Sequence, residues 1–210
     1  MAGLAGGPHG PSGAPAGGPP GAAAPLKAAP AGRPAVFLDR DGTLNLDRGY
    51  AWRWEDFEWL PGAVEALRLL QGQGLFVAVV TNQAGVARGL YRAEDVAALH
   101  RRVAADLERR GLAPPPFYHC PHHPDFTGPC GCRKPAPGML LQAAADHGLD
   151  LSRSFMVGDK LSDLGAGLAA GCVSILVRTG YGAGIAALPP TALEAPDVLE
   201  ASRLILKLAR

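Results

Sequence analysis

An excess of charge is the first thing this chain lacks. Its 20 Lys and Arg face 19 Asp and Glu, a formal net charge of +1, and no block of like charge occurs. That balance argues against nucleic-acid and membrane-surface partners, both of which need a concentrated field. No apolar run reaches the ~18 residues of a membrane-spanning helix. A basic start followed by an apolar stretch, the mark of a secretory signal, is missing as well. The expectation is a cytoplasmic protein with no nucleic-acid or membrane partner. Cysteine is sparse: there are 4, three of them crowded at positions 120, 130 and 132. Without an export signal, clustered thiols beside histidine favour a metal site over disulfides.

Residues 1–34 lack hydrophobic periodicity and are almost wholly Ala, Gly and Pro. Such a segment cannot bury enough surface to offset its ordering entropy, so it reads as a disordered tail. Residues 35–210 are enough for one domain with a full core. Short apolar runs alternate there with helical patterns and no internal repeat occurs. Strands are expected at Ala35–Leu38, Leu75–Val80, Phe117–His119, Ser154–Val157 and Val173–Val177, with a closing strand or turn after Ala192. Helices are expected near 62–71, 93–110, 138–147, 162–170 and 199–208. Runs apolar throughout suit a sheet covered on both faces. The alternation predicts a doubly wound parallel α/β sheet.

Polar residues stand just past three of these strands: Asp39 and Asp41, Thr81 and Asn82, and Asp159. Ligands of open parallel sheets bind beyond the carboxyl ends of the strands. Asp39 and Asp41 can divide a reaction, one attacking as nucleophile and the other shuttling a proton. Asp39 and Asp159 are hard oxygen ligands suited to Mg²⁺. Thr81 offers a hydroxyl to a phosphoryl group, and Lys134 supplies the positive charge that lets an anionic nucleophile approach an anionic substrate. Each fragment alone also reads as an ordinary turn or a solvated surface; their order and their placement at strand ends favour a phosphoryl-transfer site.

The second signal is Cys120-Pro121-His122-His123-Pro124 followed by Cys130-Gly131-Cys132. Three thiolates and one imidazole make the closed set used by structural zinc. His122 and His123 compete for the fourth position, with His119 nearby. An extended segment puts Cys120 and His122 on one face, which favours His122. Cys172 reads as an ordinary buried thiol.

Asp39-Arg40-Asp41-Gly42-Thr43, Thr81-Asn82, Lys134 and Gly158-Asp159-Lys160 with Asp163 resemble, in order, the four motifs of the haloacid dehalogenase superfamily. With Thr81-Asn82-Gln83, the cysteine loop and the Arg133-Lys134-Pro135 that follows it, residues 36–180 are similar to its D-glycero-D-manno-heptose 1,7-bisphosphate 7-phosphatase branch. The resemblance implies a Rossmann-type fold with a small zinc loop at about 119–133 and no large cap domain. It implies Mg²⁺-dependent removal of the 7-phosphate from a small sugar phosphate, through an aspartyl-phosphate on Asp39 with Asp41 as general acid and base. Catalysis would rest on Asp39, Asp41, Thr81 and Lys134. Substrate would be bound by Asp47, Arg48, Gly49 and Tyr50, by Thr81, Asn82, Gln83 and Ala84, and by Arg133 and Lys134. Mg²⁺ would sit at Asp39, Asp41 and Asp159 with Lys160 lining the site, and Zn²⁺ at Cys120, His122, Cys130 and Cys132. The chain departs from the pattern at Ala84, where the family has Ser, and in a short loop between His122 and Cys130. A monomer is expected. The sister reading is a histidinol-phosphate phosphatase or another small sugar or alcohol phosphate phosphatase of the same superfamily, and a reading of another class is a non-catalytic zinc-stabilised binding module.

Overall fold

The computed structural model describes residues 32–209. Six parallel strands form one sheet: β1 (Ala35–Leu38), β2 (Phe76–Asn82), β3 (Phe117–Cys120), β4 (Phe155–Gly158), β5 (Val173–Val177) and β6 (Leu193–Ala195), in the order β3-β2-β1-β4-β5-β6. The chain runs outward from β1 to β3, then returns to β4 on the other side of β1. The strand order therefore reverses between β1 and β4, the place where such sheets open a ligand crevice. Leu38 lies level with Val79 on one side and Val157 on the other, so β1 and β4 end within a residue of each other while β2 runs three residues further.

Helices α1 (Ala63–Gly72), α2 (Ala93–Arg109), α3 (Pro124–Thr127), α4 (Gly138–His147), α5 (Leu161–Ala169) and α6 (Val198–Leu208) complete the fold. Strand side chains alternate between the faces. Val36, Leu38, Val79 and Val157 pack with Leu67, Leu70, Leu99 and Ile205 of α1, α2 and α6. Ala35, Phe37, Val80 and Met156 meet Met139, Leu140 and Ala166 of α4 and α5 on the other face. All of β1 is buried, as a central strand covered on both sides must be.

Three details depart from the sequence reading. β2 continues through Thr81 and Asn82 because β3 reaches Cys120, so that Thr81 pairs with His119 and Asn82 with Cys120. The loop beyond β3 contains a helical turn, α3, whose N-cap His123 accepts a hydrogen bond from the Asp125 N–H. The segment assigned to a tail lies outside the described residues up to position 31, but Arg33 belongs to the fold. Its N–H donates to the Gly148 carbonyl and its carbonyl accepts from the Asp150 N–H, while its guanidinium lies 4.5 Å from the Phe76 ring centre. At the carboxyl edge, the excursions over 39–62 and 121–137 hold single helical turns and no cap domain.

Candidate active site

Asp39 leaves β1 facing the switch point. Its Oδ1 lies 2.8 Å from the Lys134 ammonium, which stands 2.6 Å from Asp163 Oδ1 and donates to the Val80 carbonyl at 2.8 Å. Lys134 is only 3% exposed, so this charge is held inside the protein. Burial works against it, but Asp163 and Asp39 outweigh burial and keep the ammonium above its ordinary pKa. Asp159, at the end of β4, is 0% exposed. Its Oδ2 accepts the Tyr181 N–H, whereas its Oδ1 has no hydrogen-bond partner and sees Lys160 only at 3.6 Å. Oxygens of Asp39, Asp159 and Asp163 lie within 4.8 Å of one another.

This group is short of positive charge. Burial pushes Asp39 up to about 7 and Asp159 up to about 6, although Lys134 and Lys160 pull the other way. Converging buried carboxylates with an orphaned oxygen are what a hard cation satisfies. Gly42 has φ +87°, and a Cβ there would overlap the Asp159 carboxylate, as would one at Gly180. Two glycine backbones thus close over Asp159 where no side chain fits.

The Asp41 carboxylate does not join the others. Gly42 turns the chain, and Asp41 is held instead by Arg40 (Nη2 to Oδ2, 2.8 Å), Asn45 (3.0 Å) and Gln83 (3.0 Å). The third carboxylate of the cluster is that of Asp163, one turn beyond Asp159, where Asp41 was expected. Arg40 itself is 1% exposed and also donates to the Ala51 carbonyl at 2.6 Å. Its Nη1 lies 3.1 Å from His100 Nε2. Burial pushes His100 down to about 2, with Arg40 and His119 adding to the effect, so the imidazole stays neutral and accepts from Arg40. The two aspartates are therefore separated in role: one belongs to the cation cluster, and the other is fixed by neutral and cationic donors.

The residues at and just beyond the end of β2 are engaged by neighbours within the protein. Asn82 donates to the Lys134 carbonyl and accepts from the Lys134 N–H. Gln83 donates to both Asp41 and Thr81 Oγ1, the latter at 2.9 Å. These two side chains, expected on substrate, hold the catalytic candidates Lys134, Asp41 and Thr81. Lys134 likewise has its ammonium engaged by Asp39, Asp163 and Val80, so its charge acts on the carboxylates. β2 runs two residues further than expected and carries Thr81 and Asn82 into the sheet.

The remaining candidates are spread over the loops that follow the strands. Asp47 accepts from Lys160 at 3.0 Å and from the Gly49 N–H at 2.8 Å. Asp47 lines a cleft of about 260 Å³ with Gly42, Leu46, Leu60, Gly180 and Tyr181. Arg48 is exposed and pairs with Glu58; Tyr50 is exposed and Ala84 half-buried. Arg133 donates to the His122 carbonyl at 3.1 Å.

Beyond β3, the side chains of Cys120, His122, Cys130 and Cys132 converge, with sulfur–sulfur separations of 3.1 to 3.6 Å. His122 Nδ1 lies 3.3 Å from Cys132 Sγ and 3.6 Å from Cys120 Sγ. These are close to the edges of a tetrahedron with metal–ligand bonds of about 2.0–2.3 Å. No cysteine is in a disulfide among the described residues. His123 is turned away, its Nδ1 on the Asp125 N–H and its Nε2 3.1 Å from Arg88.

Sequence reasoning quoted Asp163 but gave it no role, and it passed over Arg40, Asn45, Tyr91 and His100. Asp163 had a signal, lying one helical turn after Asp159. Arg40, Tyr91 and His100 act through side-chain contacts between separate segments, which spacing does not disclose, whereas Asn45 acts on Asp41 four residues before it.

Comparison with known proteins gives concordant results. A family model described as HAD-hydrolase-like matches residues 131–201. The D-glycero-beta-D-manno-heptose-1,7-bisphosphate 7-phosphatase of Yersinia pestis is 45% identical over 153 residues, 70% of this chain and 81% of that protein. The Escherichia coli (strain K12) protein of the same name is 44% identical over 153 residues, 70% and 80% of the two chains. Among solved structures, the D,D-heptose 1.7-bisphosphate phosphatase from B. bronchiseptica complexed with magnesium and phosphate aligns with TM-score 0.77 and 34% identity, covering 83% of this chain and 98% of that one.

Proposed function

Because the chain belongs to the D-glycero-beta-D-manno-heptose-1,7-bisphosphate 7-phosphatase family of haloacid dehalogenase-like hydrolases, we propose that it removes the 7-phosphate of that bisphosphate. The observation that carries this reading is the division between Asp39, inside a buried cation-binding cluster, and Asp41, held apart from it by Arg40, Asn45 and Gln83.

In this reading an Asp39 oxygen attacks phosphorus in line as the bond to the sugar oxygen breaks. Asp41 delivers a proton to that oxygen, which leaves as the C7 hydroxyl. A water then attacks the aspartyl-phosphate, giving its proton to Asp41, and Asp39 and inorganic phosphate are regenerated. Lys134 offsets part of the negative charge on Asp39, and Thr81 donates to the phosphoryl group. Asp47, Arg48, Gly49, Tyr50 and Arg133 are assigned to recognition of the sugar and its second phosphate, a role supported for Asp47 by its place in the cleft beside Gly42. Asp39, Asp159 and Asp163 fit Mg²⁺, which when bound neutralises charge shared between carboxylates and phosphoryl oxygens. The cysteine-loop ligands fit a structural Zn²⁺.

The histidinol-phosphate alternative gains no support from the named relatives, and a non-catalytic module does not agree with them. Among the described residues no helix is long and apolar enough to cross a membrane. Action as a cytoplasmic monomer completes the reading. The test is phosphate release from heptose 1,7-bisphosphate and from histidinol phosphate, with and without Mg²⁺, followed by ³¹P NMR. Loss of the C7 signal with the C1 signal retained is expected, only with Mg²⁺ present. Faster turnover of histidinol phosphate would overturn the assignment.

A further inference from the structure

Tyr91 lies outside every motif and directly before α2, yet it is only 6% exposed. Its hydroxyl donates to Gln83 Oε1 at 2.9 Å. Gln83 is 2% exposed, and its Nε2 donates to Asp41 Oδ2 at 3.0 Å and to Thr81 Oγ1 at 2.9 Å. One buried amide thus joins two catalytic groups, and Tyr91 satisfies the end that faces away from them. A side-chain amide can turn over, and a flip here would aim its carbonyl oxygen at the Asp41 carboxylate. With Oε1 occupied by Tyr91, the orientation that serves Asp41 is also the one that leaves no buried acceptor unpaired.

Two further observations bear on Tyr91. A Cβ at position 85 would collide with its ring, so Gly85 makes the space in which the ring sits. The ring also stacks on Trp52, with centroids 6.0 Å apart and planes at 20°, and takes Tyr50 edge-on at 6.3 Å. Tyr50 and Trp52 belong to the excursion that carries the candidate sugar-contacting residues 47–50. Burial pushes the Tyr91 hydroxyl up to about 12, so it stays a donor throughout the working range.

We infer that Tyr91 is a positioning residue of the reaction: through Gln83 it fixes the Asp41 carboxylate and leaves the Thr81 O–H free to donate, and through its ring it registers the 50–52 segment against them. Gln83 occupies the Thr81 oxygen as acceptor, so the hydroxyl proton of Thr81 is available to the phosphoryl group. Gln83 is also the donor to Asp41 that comes from outside the 40–45 turn. Removing the Tyr91 hydroxyl leaves the amide free to flip and the acid/base group less well aimed.

The inference rests on the proposed role of Asp41, and the test separates the two. Formation of the phosphorylated enzyme is followed by rapid quench in single turnover, so hydrolysis of the intermediate does not enter. The substrates are heptose 1,7-bisphosphate, with a poor alkoxide leaving group, and 4-nitrophenyl phosphate, which needs little protonation. Tyr91→Phe keeps the ring and removes one oxygen. It is expected to slow transfer from the sugar phosphate about tenfold and from the aryl phosphate less than about threefold. Gln83→Leu is expected to lose more, and Tyr91→Phe added to it to change the rate by less than about twofold, because the two act in series. Equal losses on both substrates, no loss on either, or losses that multiply in the double variant would overturn the inference alone. If Asp41→Asn fails to discriminate between the substrates, the reading of Asp41 and the inference fall together.

Discussion

Asn82 and Lys134 exchange two hydrogen bonds of 3.1 Å, the side-chain amide of one pairing with the main chain of the other. The pair connects the end of β2 to the segment that leaves the cysteine loop. Through it, the sheet decides where the Lys134 ammonium meets Asp39.

Asn82→Leu should therefore act on the chemical step. Two lost hydrogen bonds of about 1 kcal/mol each weaken the fold modestly. Displacing Lys134 by even about 1 Å can cost on the order of a hundredfold in rate. Steady-state kinetics should show kcat falling ten- to a hundredfold with KM nearly unchanged. A raised KM at constant kcat would restore Asn82 to the substrate-binding residues.

Arg40→Lys keeps the charge but loses the planar fork that reaches Asp41, Ala51 and His100 together. The neutral His100 would then face an ammonium too short to meet every partner. A loss of about 2–3 kcal/mol of stability is expected, within the range for breaking a buried charged network. Turnover of the sugar phosphate should fall more than that of an activated aryl phosphate. Denaturant unfolding and paired kinetics check the two parts.

The carboxylate cluster predicts an inverted pH dependence in protein freed of Mg²⁺ but retaining zinc. Asp39 and Asp159 have an ordinary value of 3.8 and stand at about 7 and about 6 when folded, chiefly through burial. The folded state holds their protons more tightly than the unfolded chain. Their contribution is thus most favourable below about pH 4 and is lost as pH rises toward 7. Mg²⁺ should raise the melting temperature more at pH 8 than at pH 5. Equal shifts at both pH values would contradict the picture of a cation-deficient cluster.

Cys130→Ser should release zinc, lower the melting temperature and reduce kcat/KM about ten- to a hundredfold without weakening Mg²⁺ binding. Cys132 is followed directly by Arg133 and Lys134, so a loosened loop misplaces both cations. Metal analysis of the parent should find about one zinc per chain. A zinc-free variant with parental turnover would show that the loop only adds stability.

Much of this arrangement could be read from residue order. An apolar run ending in an acid or hydroxyl marks a strand and its useful end, so Asp39, Thr81 and Asp159 were found from their neighbours alone. The cysteines were found because their spacing is short and their chemistry restricted. Arg40 reads as surface until β1 is seen buried beside α2, and only then is its charge confined to Asp41 and His100. Tyr91 is far from Asp41 in sequence, and only the folded 83–92 loop brings its hydroxyl to Gln83. Arg33 looked like tail because main-chain pairing with the Gly148–Asp150 turn leaves no trace in composition.

That last contact also decides which way the molecule can be tethered. Arg33 precedes β1 and pairs beside Leu149, so residues 32–34 lie at the amino-terminal rim of the sheet. Asp39, Asp41 and Asp159 follow the opposite ends of parallel strands, and Thr81 lies within the last two residues of its own. A carrier or solid support joined directly to Gly32 would attach at the rim opposite the reaction, leaving the mouth open to bulk solution.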